Sequence, residues 1–200
     1  MNRRHFVKTL GISAAALSLS KTFPVFADRR PELAITIDDF NLFRASPTVA
    51  QARNRALLNA LRTHSNLKAA AFIAGRNIDS ETGKNLVREW GKAGHLIANH
   101  TYSHWEYSTR NFDEFAQDVL RGEALIKDVP GFTKLFRFPL LKEGNTLERR
   151  DKMRQFLKQH GYRMGYVTID ASDWYVDQRL RTRLAENPKA DQHTSRKHRW

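Results

Sequence analysis

One stretch of the sequence decides the fold class: residues 33–39, which read LAITIDD. An uninterrupted apolar run of this length is typical of a buried strand in a parallel sheet, and here it ends in two adjacent carboxylates. Three later apolar runs are also followed by polar side chains, at residues 99–104, 137–139 and 170–174. Because the carboxyl ends of parallel strands open onto one face of an α/β fold, we expect these side chains to converge there.

The rest of the chain alternates between short apolar runs and longer segments of helical period. Ser46 followed by Pro47 is typical of a helix start, and Gly94 and Gly161 are typical of helix ends. The pattern predicts further strands at residues 69–73, 95–98, 134–138 and 162–169, and helices at 47–64, 81–93, 112–127, 147–159 and 175–184. This order indicates a parallel sheet covered by helices, either an open doubly wound sheet or a (β/α) barrel.

The composition is that of a globular protein with a basic surface. A chain of 200 residues with 40% hydrophobic content suits one domain plus a short appendage. The net charge of +13 favours anionic partners. The basic residues form no stripe interleaved with aromatic residues, and no RNA-binding or helix-turn-helix signature is present, so we do not expect nucleic acid as a partner. The absence of cysteine excludes disulfides and thiolate metal sites.

The first 27 residues have the features of an export signal. Arg3 and Arg4 precede a weakly apolar run at residues 9–20, and small residues precede a plausible cleavage point after Ala27. The arginine pair resembles the twin-arginine signal, and the alternative is an amphipathic N-terminal helix. The run is too short for a membrane span, which needs roughly 20 apolar residues. We therefore expect a periplasmic or secreted protein whose mature form begins at Asp28.

Two histidines and two aspartates are the candidate metal ligands. His100 and His104 are four residues apart, so both imidazoles can lie on one side of a helical turn. Two imidazoles and one carboxylate can bind a divalent metal and leave positions open for water and substrate. Asp38 and Asp39 can both face the mouth of the fold, one as a ligand and one as a free base. The alternatives are a chance histidine pair and a solvated Asp-Asp turn.

Two further residues are candidates for the same face. Arg137 follows an apolar strand and precedes a proline turn, where it can pair with a carboxylate or remain an ordinary surface arginine. Trp174 follows Asp173 and can form an apolar wall of a site or belong to the core.

Taken in order, these clusters resemble the motifs of the polysaccharide deacetylases, the family-4 carbohydrate esterases with the NodB-homology domain. Residues 36–40, TIDDF, are similar to Thr-Phe-Asp-Asp-Gly, and residues 100–104, HTYSH, match His-Ser/Thr-x-x-His. Residues 137–139, RFP, match Arg-x-Pro, and residues 170–174, DASDW, match Asp-x-x-Asp-Trp. The resemblance spans roughly residues 33–174.

The resemblance implies the architecture of the chain. We expect a distorted (β/α) barrel in a catalytic domain at residues 28–186, which is incomplete at its C-terminus. Residues 187–200 form an irregular basic tail that resembles the product of a truncation or an altered reading frame. The family's fifth motif, a late apolar strand ending in Leu-x-His, has no counterpart here.

The resemblance also implies a metal centre and a base. Asp39, His100 and His104 would bind a divalent metal, usually zinc, with Co²⁺ or Ni²⁺ as alternatives. Asp38 would be the general base that deprotonates the attacking water, and Arg137 would orient it.

The substrate side of the implied site involves three more residues. The N–H of Leu140 would bind the oxyanion, Trp174 would line the acetyl pocket, and Asp173 would tune the histidine of the missing fifth motif. Phe40 replaces the family's usual glycine, and Leu140 with Leu141 replaces the usual Tyr-Gly, so we expect a reshaped groove.

The implied activity is removal of acetyl groups from an N-acetylglucosamine-containing polysaccharide, with release of acetate. Peptidoglycan, a chitin-like glycan and a matrix glycan are the candidate partners, and we expect a monomer. The alternative is an inactive metal- and glycan-binding fragment that lacks the general-acid histidine.

Overall fold

The computed structural model describes residues 33–41 and 46–188. The predicted export signal at residues 1–27 lies outside this part of the chain, as does most of the basic tail predicted at 187–200. Among the helices that the structure describes, none has both the length and the apolar character that crossing a membrane requires.

Within the described residues, five parallel strands alternate with five α-helices. The strands are β1 (Ile35–Asp39), β2 (Ala69–Ile73), β3 (Leu96–Asn99), β4 (Phe132–Phe136) and β5 (Arg163–Met164). The helices are α1 (Pro47–Thr63), α2 (Glu81–Lys92), α3 (Phe112–Ile126), α4 (Leu147–Gln159) and α5 (Asp173–Glu186). The predicted alternation of strands and helices is therefore confirmed, with most boundaries within two residues.

The strand order distinguishes the two architectures that the sequence left open. The sheet has the order β1-β2-β3-β4-β5, and every neighbouring pair is parallel. The connection between two parallel neighbouring strands is nearly always a right-handed crossover. When each new strand is added at the same edge, all the connecting helices therefore lie on the same face of the sheet. A doubly wound sheet instead reverses its strand order at a switch point. The structure therefore has the barrel-type order.

Side-chain caps fix where the helices begin. The Ser46 hydroxyl accepts a hydrogen bond from the Val49 N–H at 3.4 Å, with Pro47 in the first turn of α1. Asn111 and Glu114 form a reciprocal capping box at the start of α3, in which each side chain accepts from the other residue's N–H. A cap of this kind stabilises a helix by about 1 kcal/mol.

The helices bury their apolar faces in two clusters. The first packs α1 and α2 on the early strands, with Phe40, Ala50, Ala69, Ala71, Ile73, Ile78, Leu86, Val87, Trp90, Ile97, Ile126 and Val129. The second packs α3 and α4 on the late strands, with Tyr107, Phe115, Ala116, Val119, Phe136, Phe138, Met153, Leu157 and Tyr162. Together the two clusters bury the apolar faces of α1–α4 against the sheet.

Phe40 fills the first cluster rather than the groove that we expected it to reshape. The residue follows β1 with a φ of 51°, in the left-handed region that favours glycine. Its side chain is only 6% exposed and packs edge-on against Trp90, with ring centroids 5.6 Å apart. Burial of a phenylalanine outweighs the cost of a left-handed residue, about 1–2 kcal/mol.

The fifth strand is much shorter than predicted. The sequence pattern indicated a strand over residues 162–169, whereas β5 contains only Arg163–Met164. Its partner β4 ends at Phe136, which pairs with Met164, and Pro139 soon afterwards removes a backbone donor. Apolar residues beyond that point therefore have no ladder to join, and Ile169 is exposed.

Replacing Phe40 tests this packing. We expect Phe40→Ala to lower the free energy of unfolding by about 3–5 kcal/mol in urea denaturation, because it removes a buried ring. Phe40→Gly should be about 1 kcal/mol more stable than Phe40→Ala, since glycine relieves the left-handed strain. The control is Leu147→Ala, at a position that is 68% exposed. An equal loss at both positions would contradict the buried location of Phe40.

Candidate metal centre and active site

The carboxyl edge of the sheet gathers the polar residues that end the strands. Asp38 and Asp39 are the last residues of β1, His100 follows β3 directly, and Arg137 follows β4. The register of the parallel strands places these ends at the same edge of the sheet: Asp39 pairs with Ile73, and Ile73 pairs with Asn99. The predicted convergence of side chains from β1, β3 and β4 is confirmed.

Asp39, His100 and His104 form the one group of potential metal ligands found among the described residues. The Asp39 Oδ1 atom lies 2.8 Å from the Nε2 atom of His104 and 3.4 Å from that of His100. One ligand atom from each residue falls within 4.8 Å of the others. Two imidazole nitrogens and a carboxylate oxygen are donors that Zn²⁺ prefers, so the residues present fit such an ion.

The two imidazoles keep Asp39 ionised. Partial burial on its own raises the pKa of this carboxyl group. Hydrogen bonds from His100 and His104, together with their positive charge when protonated, outweigh burial and hold the pKa of Asp39 well below its usual range. A carboxylate that is ionised at neutral pH is the form that binds a cation.

The backbone fixes the orientation of His100. Its Nδ1 atom lies 2.7 Å from the carbonyl oxygen of Arg137, which can only accept a hydrogen bond. Nδ1 must therefore carry the hydrogen, so Nε2 donates to Asp39 when the ring is protonated and offers its lone pair to a metal ion when the ring is neutral. A carbonyl partner of this kind sets the tautomer and the ring plane of a metal-binding histidine.

Arg137 is a buried anchor, not a surface arginine. Its side chain is 3% exposed and donates from Nη1 to Asp38 Oδ1 at 2.5 Å and to Thr36 Oγ1 at 2.9 Å. Nε donates to the Gly165 carbonyl at 2.8 Å, and the guanidinium lies 3.9 Å from the centre of the Phe72 ring. The carboxylate of Asp38, the residue before Asp39 in β1, is thereby bound to a partner outside the group of potential metal ligands.

Backbone strain is concentrated at this edge. The non-glycine residues here with positive φ are Asp39, Phe40, Thr101, His104, Leu140 and Leu141. Such conformations cost on the order of 1–3 kcal/mol each and persist only where the surroundings determine them. At Asp39 the constraint comes from Asn77, whose Nδ2 donates to the Asp39 carbonyl at 2.8 Å.

The remaining predicted site residues are placed differently. Leu140 is 57% exposed in the short 3₁₀ turn Pro139–Leu141 that follows Arg137. Trp174 is 65% exposed, and its one ring contact among the described residues is with Tyr175. Asp173 begins α5, and no described hydrogen bond or ion pair connects its side chain to the cluster. The roles assigned to these three residues stay predictions.

The sequence pattern missed two residues that support the site through hydrogen bonds: Asn77, which donates to the Asp39 carbonyl, and Asp118, which accepts from the Ser103 N–H. Asn77 gave no signal, because nothing in its segment indicates that it reaches β1. The burial of Asp118 was predictable, because Asp118 lies at helical spacing from Phe115 and Gly122, on the buried face of α3. An acidic residue among the buried positions of a helix usually has a specific partner.

Comparison with known proteins agrees with this geometry. A family model described as polysaccharide deacetylase matches residues 27–165. The chain belongs to the polysaccharide deacetylase family. A peptidoglycan-N-acetylglucosamine deacetylase of Bacillus cereus is 28% identical over 145 residues, which cover 72% of this chain and 47% of that protein. The chain thus spans about half the length of this curated relative.

Solved structures of the family share the fold. A family 4 carbohydrate esterase from Streptomyces lividans, solved with acetate, is 26% identical with a TM-score of 0.56. That match covers 72% of this chain and 66% of the other. A chitin deacetylase from the fungus Colletotrichum lindemuthianum has a TM-score of 0.57 at 22% identity, over 76% of this chain and 62% of the other. The predicted (β/α) barrel-type architecture is confirmed.

A charge-conserving substitution tests the anchor. We expect Arg137→Lys to lower the free energy of unfolding by about 2–4 kcal/mol in urea denaturation, because lysine cannot reproduce the bonds that the guanidinium makes in three directions. The matched control is Arg88→Lys, whose arginine lies on the surface of α2 and should change stability by less than about 0.5 kcal/mol. Equal effects of the two substitutions would refute the buried anchor.

Proposed function

We propose that this chain is a metal-dependent hydrolase that removes N-acetyl groups from N-acetylglucosamine units of a polysaccharide and releases acetate. The observation that carries the proposal is the juxtaposition of the Asp39–His100–His104 cluster with Asp38, which is bonded to Arg137 instead. The site thus offers a set of metal ligands and, beside it, a separate carboxylate. Membership of the polysaccharide deacetylase family supports the reaction class.

Asp39, His100 and His104 would hold the ion. Zinc suits two imidazoles and a carboxylate, and Co²⁺ or Ni²⁺ fits the same donors. A divalent cation bound there supplies a Lewis acid for the acetyl carbonyl and lowers the pKa of water. The left-handed backbone at Asp39 and His104 sets the direction of two of these ligands before any ion binds.

Asp38 acts as the general base. Its carboxylate takes a proton from the attacking water while the water oxygen forms a bond to the acetyl carbon. Arg137 restricts the rotation of the Asp38 carboxylate through the 2.5 Å contact. The carbon–nitrogen bond then breaks as the leaving nitrogen takes up a proton, which balances the proton that Asp38 received from the water. The products are acetate and a free amine on the sugar.

The N–H of Leu140 is available for the developing oxyanion. The neighbouring N–H groups of Leu141 and Lys142 donate to the carbonyls of Phe138 and Pro139. Within the described residues, no carbonyl accepts from the Leu140 N–H. A fixed backbone donor at the mouth of the site stabilises charge that develops during acyl transfer. The exposed side chains of Leu140 and Leu141 would face the glycan in place of the family's Tyr-Gly.

A second candidate function is an inactive metal- and glycan-binding protein. In residues 33–41 and 46–188, the three remaining histidines are His64 at the end of α1, His95 before β3 and His160 at the end of α4. Helix ends and strand starts lie at the opposite edge of the sheet, so none of these can protonate the leaving amine. If no other group does so, catalysis loses a factor of roughly 10²–10⁴.

The substrate and the location of the protein are part of the same proposal. The Bacillus cereus relative is named for peptidoglycan, which makes peptidoglycan the first glycan to test, with chitin-like oligosaccharides second. We propose export by the twin-arginine route to the periplasm or the exterior, where such glycans occur, and action as a monomer.

Acetate release measures the proposed activity. The 200-residue chain, stripped with chelator and reloaded with zinc, should release acetate from peptidoglycan or N-acetylated chitooligosaccharides, and the stripped protein should not. Asp38→Asn should lower kcat/KM by about 10²–10⁴-fold, because it removes the base. It should leave zinc content unchanged, because Asp38 is not among the ligands.

Three controls separate the alternatives. Asp128→Asn, at an exposed position after α3, should leave activity unchanged. A zinc-loaded wild-type chain that releases no acetate from either glycan would favour the inactive binding protein. Full activity of Asp38→Asn would overturn the assignment of the base, and full activity after metal removal would overturn metal dependence.

A further inference from the structure

The loop between the two imidazoles has every backbone N–H bonded. His100 N–H donates to the Ile73 carbonyl, and Thr101 N–H donates to the side chain of Asn99. His104 N–H donates to the hydroxyl of Thr101 at 3.0 Å. The two N–H groups between them, at residues 102 and 103, have partners outside the loop. The direction of His104 therefore depends on hydrogen bonds and not on metal.

Asp118 on α3 supplies both of those outside partners. Its backbone carbonyl accepts from Tyr102 N–H at 3.1 Å, and its carboxylate oxygen Oδ2 accepts from Ser103 N–H at 2.9 Å. The residue is 5% exposed, and among the described residues no lysine, arginine or histidine forms an ion pair with it. A buried carboxylate with a backbone N–H as its partner is costly, which indicates a specific task.

Helix α3 is built to approach this loop closely. One turn after Asp118 lies Gly122, where an added Cβ would come within 2.7 Å of the Thr101 carbonyl carbon and 2.8 Å of Asn99 Oδ1. Glycine inside a helix costs about 1 kcal/mol relative to alanine, and this one permits backbone contact with the loop. The next residue, Glu123, accepts from the Tyr162 hydroxyl, which in turn accepts from Asn99.

The loop needs such support because it is strained. Thr101 and His104 have φ values of 66° and 55°, conformations that non-glycine residues adopt only at a cost of on the order of 1–3 kcal/mol each. Without an acceptor for Ser103 N–H, the chain before His104 can relax, and the imidazole then moves away from Asp39. Ser103 and His104 are only partly buried, so core packing alone does not fix them.

We infer that Asp118 is a positioning residue for the metal centre: its carboxylate fixes Ser103 and so holds His104 in the geometry that binds the ion. The inference rests on the proposed metal-dependent function. Asp118 touches neither the ion nor the substrate, and it acts only through the loop. Groups that orient metal ligands in this way are typically worth 10–100-fold in metal affinity.

Zinc affinity of the full chain, measured by competition with a chromogenic chelator, tests this role. Asp118→Ala should weaken zinc binding about 10–100-fold. Asp118→Asn retains an oxygen acceptor for Ser103 N–H and should bind zinc within about threefold of wild type. Ile126→Ala, which truncates a buried side chain on the same helix away from the loop, is the stability-matched control. Urea unfolding of the metal-free variants measures whether Asp118→Ala and Ile126→Ala lower the free energy of unfolding by the same amount.

The outcomes distinguish this inference from the proposed function. A wild-type chain that does not bind zinc refutes the metal centre itself, and the inference with it. Wild-type zinc affinity in Asp118→Ala refutes the positioning role alone. An equal loss of zinc affinity in Ile126→Ala also refutes it, because general destabilisation then explains the effect. Asp118→Asn that binds as weakly as Asp118→Ala overturns the role of the oxygen acceptor.

Discussion

The site depends on one buried cation, the guanidinium of Arg137, which joins the end of β4 to β1 and to the segment after β5. Its side chain holds Asp38, and its carbonyl oxygen holds the ring of His100. Breaking a buried ion pair by removing one partner costs about 3–5 kcal/mol, since the other charge is left unpaired. Arg137 therefore orients both Asp38 and His100. The same contacts stabilise the fold and determine the geometry of the site.

Close packing makes this arrangement possible. The Phe72 ring lies under the guanidinium, and Gly165 leaves room for it, because an added Cβ at Gly165 would lie 2.3 Å from the ring. The left-handed backbone conformations of Asp39 and His104 orient the side chains of two of the three potential metal ligands. The strain of those conformations is offset by the packing and hydrogen bonds around them, as is usual where a rigid scaffold preorganises polar groups.

The sequence predicted the parts that follow from strand periodicity and local chemistry. His100 and His104, with one of Asp38 and Asp39, were identifiable because strand ends converge in a parallel α/β fold and because their side chains are typical metal ligands. The choice of Asp39 over Asp38 came from the resemblance to the deacetylase motifs. Features that depend on distant contacts were not identifiable. Asn77 is 38 residues from the carbonyl that it binds, and the burial of Phe40 requires Trp90 at the right distance. The fifth strand was overestimated because periodicity does not show where a pairing partner ends.

The most direct test of the central claim is anomalous X-ray diffraction at the zinc absorption edge, from crystals of the zinc-loaded protein. We predict a single peak at about 2.0–2.2 Å from one carboxylate oxygen of Asp39 and from the Nε2 atoms of His100 and His104, with Asp38 still bonded to Arg137. A peak located elsewhere, or a zinc ion that takes Asp38 as a ligand, would contradict the account.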